Sequence, residues 1–373
     1  MNEIIYLDNN ATTPIAKEVI DIMQTDITLP LNPSSIHQYG RIAQKHLINS
    51  RKKIADFLKV KDETLIFTSG GTESINMAIK GILKNHPKAH IITTNIDHAC
   101  VYNTLFNLKR NEHHVSFVKT DQKGYPEVDG IKEQIKENTR LIVVSYVNSE
   151  TGVIADIEKI ASLASQNNID LVVDGVAILG KEKISIPKGV SAMCFSAHKI
   201  HGPKGVGLCY LRENVHFTPF LEGGSQEFEK RAGTENLSGI IGFAKAIELL
   251  NDLDEKTKYI KNLRDHFENS LKKELDIEIN GEGKRVCNTT NIYFKDIEGD
   301  TLLINLDSSN VIASLGSACS SGSISPSRVL LQMGYDPRRC KASIRFSFSR
   351  YNTEEEVNKA IKIVTNLVKN LKN

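Results

Sequence analysis

The chain has 373 residues, 40% hydrophobic and 25% charged, which is the balance of a globular protein with room for two domains. Its 47 basic and 45 acidic residues nearly cancel, to a net charge of +2, so electrostatics give no case for nucleic acid as a direct partner. No apolar run reaches the roughly 18 residues of a membrane span, the first residues lack the regions of a secretory signal, and the six cysteines contain no C-x-x-C pair. That excludes a disulfide scaffold and an iron–sulfur ligand set, and the expected setting is a reducing cytoplasm with no membrane and no metal.

In chain order, residues 41–58 place Ala43, Leu47, Ile54, Ala55 and Leu58 on one face, which predicts a helix. Short β-branched runs predict strands at 65–68, 90–94, 115–118, 141–147, 170–173, 192–195 and 206–211. Helical stretches such as 74–82 and 156–166 separate them. This alternation predicts an α/β fold with a mainly parallel central sheet flanked by helices. Residues 237–275 read as helical, with a break near 252–254. Beyond them 277–279, 288–294, 311–314 and 343–348 read as strands. Thr353 and Glu356 form a capping box that opens a last helix. The change of texture near 255 predicts a large α/β domain over 13–255 and a smaller α+β domain made of 1–12 and 256–373.

Three features fall at strand ends, where ligands of open α/β sheets bind. The first is the run from Thr68 to Ser74, Thr-Ser-Gly-Gly-Thr-Glu-Ser, a strand entering a helix through two glycines. Such a helix start can cradle phosphate, although alone it reads equally as an ordinary turn. The second is Asp174 after Val172 and Val173, a carboxylate heading into the interior that needs a cation or a capping role. The third is Lys199, after Ser196, Ala197 and His198, an amine that desolvation can turn into a Schiff-base former or that can remain a surface lysine. Together and in this order they point to a pyridoxal 5′-phosphate (PLP) site: a phosphate cradle, a carboxylate for the pyridine nitrogen and an amine for the aldehyde.

The chain resembles the cysteine desulfurases of the class V aminotransferase superfamily, which are fold-type I PLP enzymes. The resemblance runs through Tyr6-Leu-Asp-Asn-Asn-Ala-Thr-Thr-Pro14, Asn32-Pro-Ser-Ser-Ile-His37, Thr68 to Ser74, Asp97-His98 and Val147-Asn-Ser-Glu-Thr-Gly152. It continues through Ser196-Ala-His-Lys199, Gly202-Pro-Lys-Gly205, Arg231-Ala-Gly-Thr-Glu-Asn236, Gly316-Ser-Ala-Cys-Ser320 and Ser343-Ile-Arg-Phe-Ser347. It implies that Lys199 holds PLP covalently and that Asp174 pairs with the ring nitrogen. Thr72, Ser196 and His198 would bind the phosphate, with Gly71 allowing close approach. Thr234 would reach the same phosphate from the other subunit of a homodimer. His98 would stack on the ring and assist proton transfers, and Asn148 and Arg345 would hold the substrate carboxylate.

The resemblance also singles out Cys319 among the six thiols. Residues 314–325 are Ser, Gly and Ala with almost no bulky anchor, a composition that predicts a movable loop. The implied reaction converts L-cysteine to L-alanine. Cys319 takes the sulfur as a persulfide for an acceptor protein, such as an iron–sulfur scaffold, or for tRNA thiolation. Cys194 and Cys209 read as core, and Cys100, two residues after His98, as a bystander. Two departures stand out. Ala177 occupies the place of a glutamine that would hydrogen-bond the phenolate oxygen of PLP, and the chain stops at Asn373 without the docking tail of some relatives. A selenocysteine lyase or another class V enzyme is the alternative, and a low-activity PLP-binding scaffold rests on Ala177 alone.

Overall fold

The structure is a computed structural model that describes residues 4–316 and 326–372. Its strands, in chain order, are β1 (Ile5–Tyr6), β2 (Leu65–Thr68), β3 (His90–Thr94), β4 (His114–Val118), β5 (Thr139–Ser145) and β6 (Asp170–Asp174). They continue with β7 (Ala192–Ser196), β8 (Gly207–Leu211), β9 (Ile277–Ile279), β10 (Thr289–Phe294), β11 (Val311–Ile312) and β12 (Ser343–Ser347). Strands β2 to β8 form one sheet in the order β2-β8-β7-β6-β5-β3-β4. Only β8 runs against its neighbours, so the sheet is mainly parallel, as the alternation of elements predicts.

The near-continuous apolar runs of these strands follow from burial on both faces. Side chains alternate along a strand, so Ile142 and Val144 enter one apolar cluster while Leu141 and Val143 enter the other. Leu171 and Val173 likewise oppose Val172. Helices Gln38–Leu58, Ile157–Gln166 and Leu237–Glu248 cover the first face, and Gly71–Leu83 with Ala99–Arg110 cover the second.

A second packing centre gathers the C-terminal residues. Strands β12, β10 and β9 form an antiparallel sheet, with helices Leu253–Glu274 and Glu354–Lys372 contributing to its core. Phe267 meets Phe346 and Phe348 at ring-centroid distances of 4.9 and 5.5 Å. Each such pair adds roughly 0.5–1.5 kcal/mol beyond area burial. Ile5 and Leu7 join the same cluster, because β1 pairs in parallel with β11.

The expected helix break is a left-handed Asp252 (φ 61°), which separates Leu237–Glu248 from Leu253–Glu274. The capping box is present, with Thr353 and Glu356 each accepting from the other's backbone N–H at 2.8–3.1 Å. The strand expected at 141–147 begins earlier and ends at Ser145. Tyr146 keeps one bond to β6, its N–H donating to the Asp174 carbonyl, and Val147 turns away to bridge Ile154, both packing beside Ile178 and Val286, a choice that strand periodicity cannot see. Among the described residues no helix is long and apolar enough to cross a membrane.

Candidate active site

Five strands deliver residues to one cavity of about 710 Å³ at the carboxyl end of the large sheet. Gly71 and Thr72 follow β2, His98 follows β3, Asn148 follows β5, Asp174 ends β6, and Ser196, His198 and Lys199 close β7. Arg345 enters from β12. Parallel strands with crossover helices bring all their carboxyl ends to one side, so residues far apart in sequence share the cavity.

One end of the cavity is an anion cradle. Helix Gly71–Leu83 starts at Gly70, which supplies no side-chain cap, so its first backbone N–H groups need an outside partner. A Cβ at Gly71 would lie 2.7 Å from Val176 Cγ2, so only glycine lets the helix start sit this close to the β6 turn. The His198 ring is 3.1 Å from the Thr12 hydroxyl. Burial, with Lys199, Lys204 and Lys181 nearby, pulls His198 down to about 4. At neutral pH it is therefore an uncharged ring.

The opposite end is built from buried side chains. Asp174 is 7% exposed, and its Oδ1 accepts from the Val176 N–H at 3.0 Å. Burial pushes its carboxyl up, opposed by His98. His98 caps helix Ala99–Arg110, its Nδ1 accepting from the Cys100 N–H at 3.1 Å. The turn before it is held by Asp97, whose carboxylate accepts from Thr93, twice from Thr94 and from the Ser145 N–H, at 2.6–3.1 Å. The Asp97-His98 motif is thus an anchor followed by a residue that lines the cavity.

Lys199 projects toward the N-terminal segment, and its Nζ donates to the carbonyls of Asn10 and Ala11 at 2.5 and 2.9 Å. Thr13 clasps the same turn from outside, its N–H and hydroxyl donating to the His198 carbonyl and its hydroxyl accepting from the His201 N–H. Behind it, Lys181 is buried and donates to the Lys199 carbonyl at 3.1 Å. Burial, opposed by Cys287 and reinforced by Lys199 and Arg350, pulls the Lys181 ammonium down to about 8.

Arg345 is 3% exposed and paired with Asp8 at 2.8 Å, with Nη1 donating to the Ser149 carbonyl at 3.2 Å. Its Nε is buried with no hydrogen-bond partner among the described residues, so the guanidinium retains an unmet donor. Asn148 folds its Oδ1 into the turn, accepting from Glu150, Thr151 N–H and the Thr151 hydroxyl at 3.0–3.2 Å. Only its amide NH2 has capacity left for a ligand.

The sequence pattern of the family described as Aminotransferase class-V matches residues 5–360. The chain belongs to the class-V aminotransferase family. It is 39% identical to the protein of Methanosarcina thermophila named cysteine desulfurase IscS, over 100% of this chain and 94% of that relative. It is also 39% identical to a Trichormus azollae protein named cysteine desulfurase, over 99% of this chain and 94% of the relative. A solved structure described as a NifS-like protein superposes with a TM-score of 0.92 at 33% identity, covering 99% of this chain and 100% of that one. One described as SspA in complex with cysteine gives 0.83 at 29% identity, covering 93% and 99%.

This class-V enzyme is PLP-dependent, and the residues present fit that cofactor. The glycine-opened helix start suits a phosphate, and Asp174 is a buried carboxylate, which calls for a cation. The Lys199 amine lies in the same cavity. Nine of the expected site residues line it together: Gly71, Thr72, His98, Asn148, Asp174, Ser196, His198, Lys199 and Arg345. Thr234 is exposed and does not line the cavity of its own chain. Cys319 and most of its loop lie outside the described residues. Sequence reasoning missed Lys181, Glu150 and Arg328. Lys181 sits in a Gly-Lys pair that looks like surface. Glu150 is a buried carboxyl pushed up by burial, with the Ser327 hydroxyl donating to it at 2.5 Å. Arg328 stacks over Tyr102 and donates to the carbonyls of Asn95 and Asp97.

Proposed function

We propose that this chain is a PLP-dependent cysteine desulfurase that converts L-cysteine to L-alanine and passes the sulfur on through Cys319. The observation that carries this reading is the convergence of Lys199, Asp174 and the Gly71 cradle in one cavity of a full-length relative of proteins so named. When bound, PLP supplies an aldehyde that condenses with amines and a ring that withdraws electrons.

The residues divide the remaining work. Thr72, Ser196, His198 and the helix N–H groups hold the phosphate, and Asp174 keeps the ring nitrogen protonated. Lys199 would hold the aldehyde group of the bound cofactor and, as a free amine beside the substrate, would move the proton at Cα. With Nδ1 accepting from the Cys100 N–H, a neutral His98 carries its proton on Nε2 and acts there as a donor. Arg345 and the Asn148 amide, both in the cavity lining, hold the substrate carboxylate. The Cys319 thiolate forms a bond to the substrate sulfur as the carbon–sulfur bond breaks. The electron pair stays on carbon, a proton follows, and alanine leaves a persulfide behind.

Around this core we place a homodimer in which Thr234 serves the neighbouring subunit's phosphate. We also place a sulfur-acceptor protein, a cytoplasmic location, and a division into a large domain over 13–255 and a small one over 1–12 and 256–373. A reducing location fits a persulfide that must turn over. Incubation of the PLP-loaded protein with L-cysteine and a reductant should release alanine and sulfide together. Cys319→Ser should still bind L-cysteine, seen as a change in cofactor absorbance, but release little sulfide. Unaltered sulfide release from that variant removes Cys319 from the mechanism, and absence of alanine from the parent protein removes the activity.

A further inference from the structure

At the ring end of the cavity, His98, Cys100 and Asp174 each offer one donor atom, and the three atoms lie within 4.8 Å of one another. All three residues line the cavity. The Cys100 Sγ is 2.9 Å from the His98 Nδ1, and burial pushes its thiol up. The desulfurase chemistry assigns that thiol nothing.

The setting favours a cation. A buried carboxylate such as Asp174 is costly without a positive partner. The pyridinium nitrogen of PLP fills that need when the cofactor is present. When it is absent, an imidazole and a thiol flank the same carboxylate. Thiolate, imidazole and carboxylate are a zinc ligand set, with the fourth tetrahedral position open. Zinc bond lengths place neighbouring ligand atoms roughly 3.3–3.7 Å apart, which falls between the observed 2.9 Å contact and the 4.8 Å limit. Asp174 ends a central strand and His98 and Cys100 open a helix, so all three donors sit on ordered elements, and zinc at His98 takes the place of the thiol contact and the cap bond that its Nδ1 now accepts.

We propose that His98, Cys100 and Asp174 form a zinc(II) site in the cofactor-free protein, occupied in exclusion of PLP. The exclusion rests on the assignment of Asp174 and His98 to the cofactor ring. Binding involves no redox change: zinc gains the three donors, and the thiol proton, with any proton held by Asp174, passes to solvent. The cavity would thus be open to metal before cofactor loading and closed to it afterwards.

The test uses the full-length chain with Cys319→Ser, which silences the proposed carrier thiol, prepared with and without PLP. Without PLP it should bind one zinc per chain, and cobalt(II) in its place should show thiolate-to-metal charge transfer. Adding PLP should release the metal, and prior zinc should slow cofactor uptake. Cys100→Ala in this background should weaken zinc binding at least about tenfold and abolish the charge-transfer band. Its circular dichroism, matched to the parent's, confirms that it is folded, with Cys100→Ser as the second variant. Zinc affinity unchanged in both Cys100 variants overturns the site. Equal zinc binding by protein with PLP reduced onto Lys199 overturns the exclusion. Alanine release by the loaded parent enzyme is scored separately, so failure of the zinc site and failure of the desulfurase reading are told apart.

Discussion

The two ends of the cavity attract opposite charges by different means. At Gly71 the attraction for an anion comes from backbone N–H groups at a helix start, with a neutral His198 beside them. At Asp174 the attraction for a cation comes from one buried carboxylate. Backbone groups cannot be removed by substitution, only crowded, whereas a side-chain charge is lost with one atom. The comparison teaches that the ring end should be far more sensitive to mutation than the phosphate end.

Variants can break or sharpen this contrast. Lys199→Ala should lower alanine formation by on the order of a thousandfold or more, and borohydride should no longer fix the cofactor to the chain. Asp174→Asn keeps the shape and deletes the charge, and turnover at saturating PLP should fall by roughly 10²–10⁴-fold. If that variant turns over normally, the ring end does not work through charge. Ala177→Gln should restore a hydrogen bond to a charged oxygen, worth about 1.5–3 kcal/mol. The pH titration of the cofactor absorbance should move, and an unmoved titration with unmoved turnover defeats this account of Ala177. Gly71→Ala puts a Cβ 2.7 Å from Val176. It should weaken PLP binding by about tenfold, as overpacking does, while turnover at saturating PLP stays near normal.

The smallest effect concerns pH. Burial holds His198 at about 4 and His201 at about 3, below the ordinary 6.5. The unfolded chain therefore binds more protons than the folded one in between. Stability is fully present above pH 6.5 and falls as pH drops through about 4 toward 3. Urea midpoints across this window should decline, and His198→Gln should flatten the upper part of the decline.

Much of the site is legible without coordinates because its chemistry sits in short local strings. Strand-then-Gly-Gly, strand-then-Asp and strand-then-Lys each announce a strand end, and α/β topology brings strand ends together. Lys181 escapes such reading because its burial depends on packing beneath Lys199, from which 18 positions separate it. Asp97 is legible as a motif member but not as the anchor between strands, since it also accepts from Ser145, 48 positions away on β5.

Composition and periodicity alone determine a two-faced α/β sheet, its helices and the capping box, while short motifs at strand ends single out the candidate amine, carboxylate and cradle. Local patterns report which face a residue occupies, and burial on both faces writes itself as continuous apolar runs. Which distant atoms meet is a pairwise quantity that no period encodes. The tertiary structure decides that Lys199 reaches the carbonyls of Asn10 and Ala11, that Arg345 pairs with Asp8 while keeping one donor unmet, and that Cys100 stands beside Asp174. That last meeting puts a thiol that reads as a bystander in the lining of the cavity, beside the buried carboxylate.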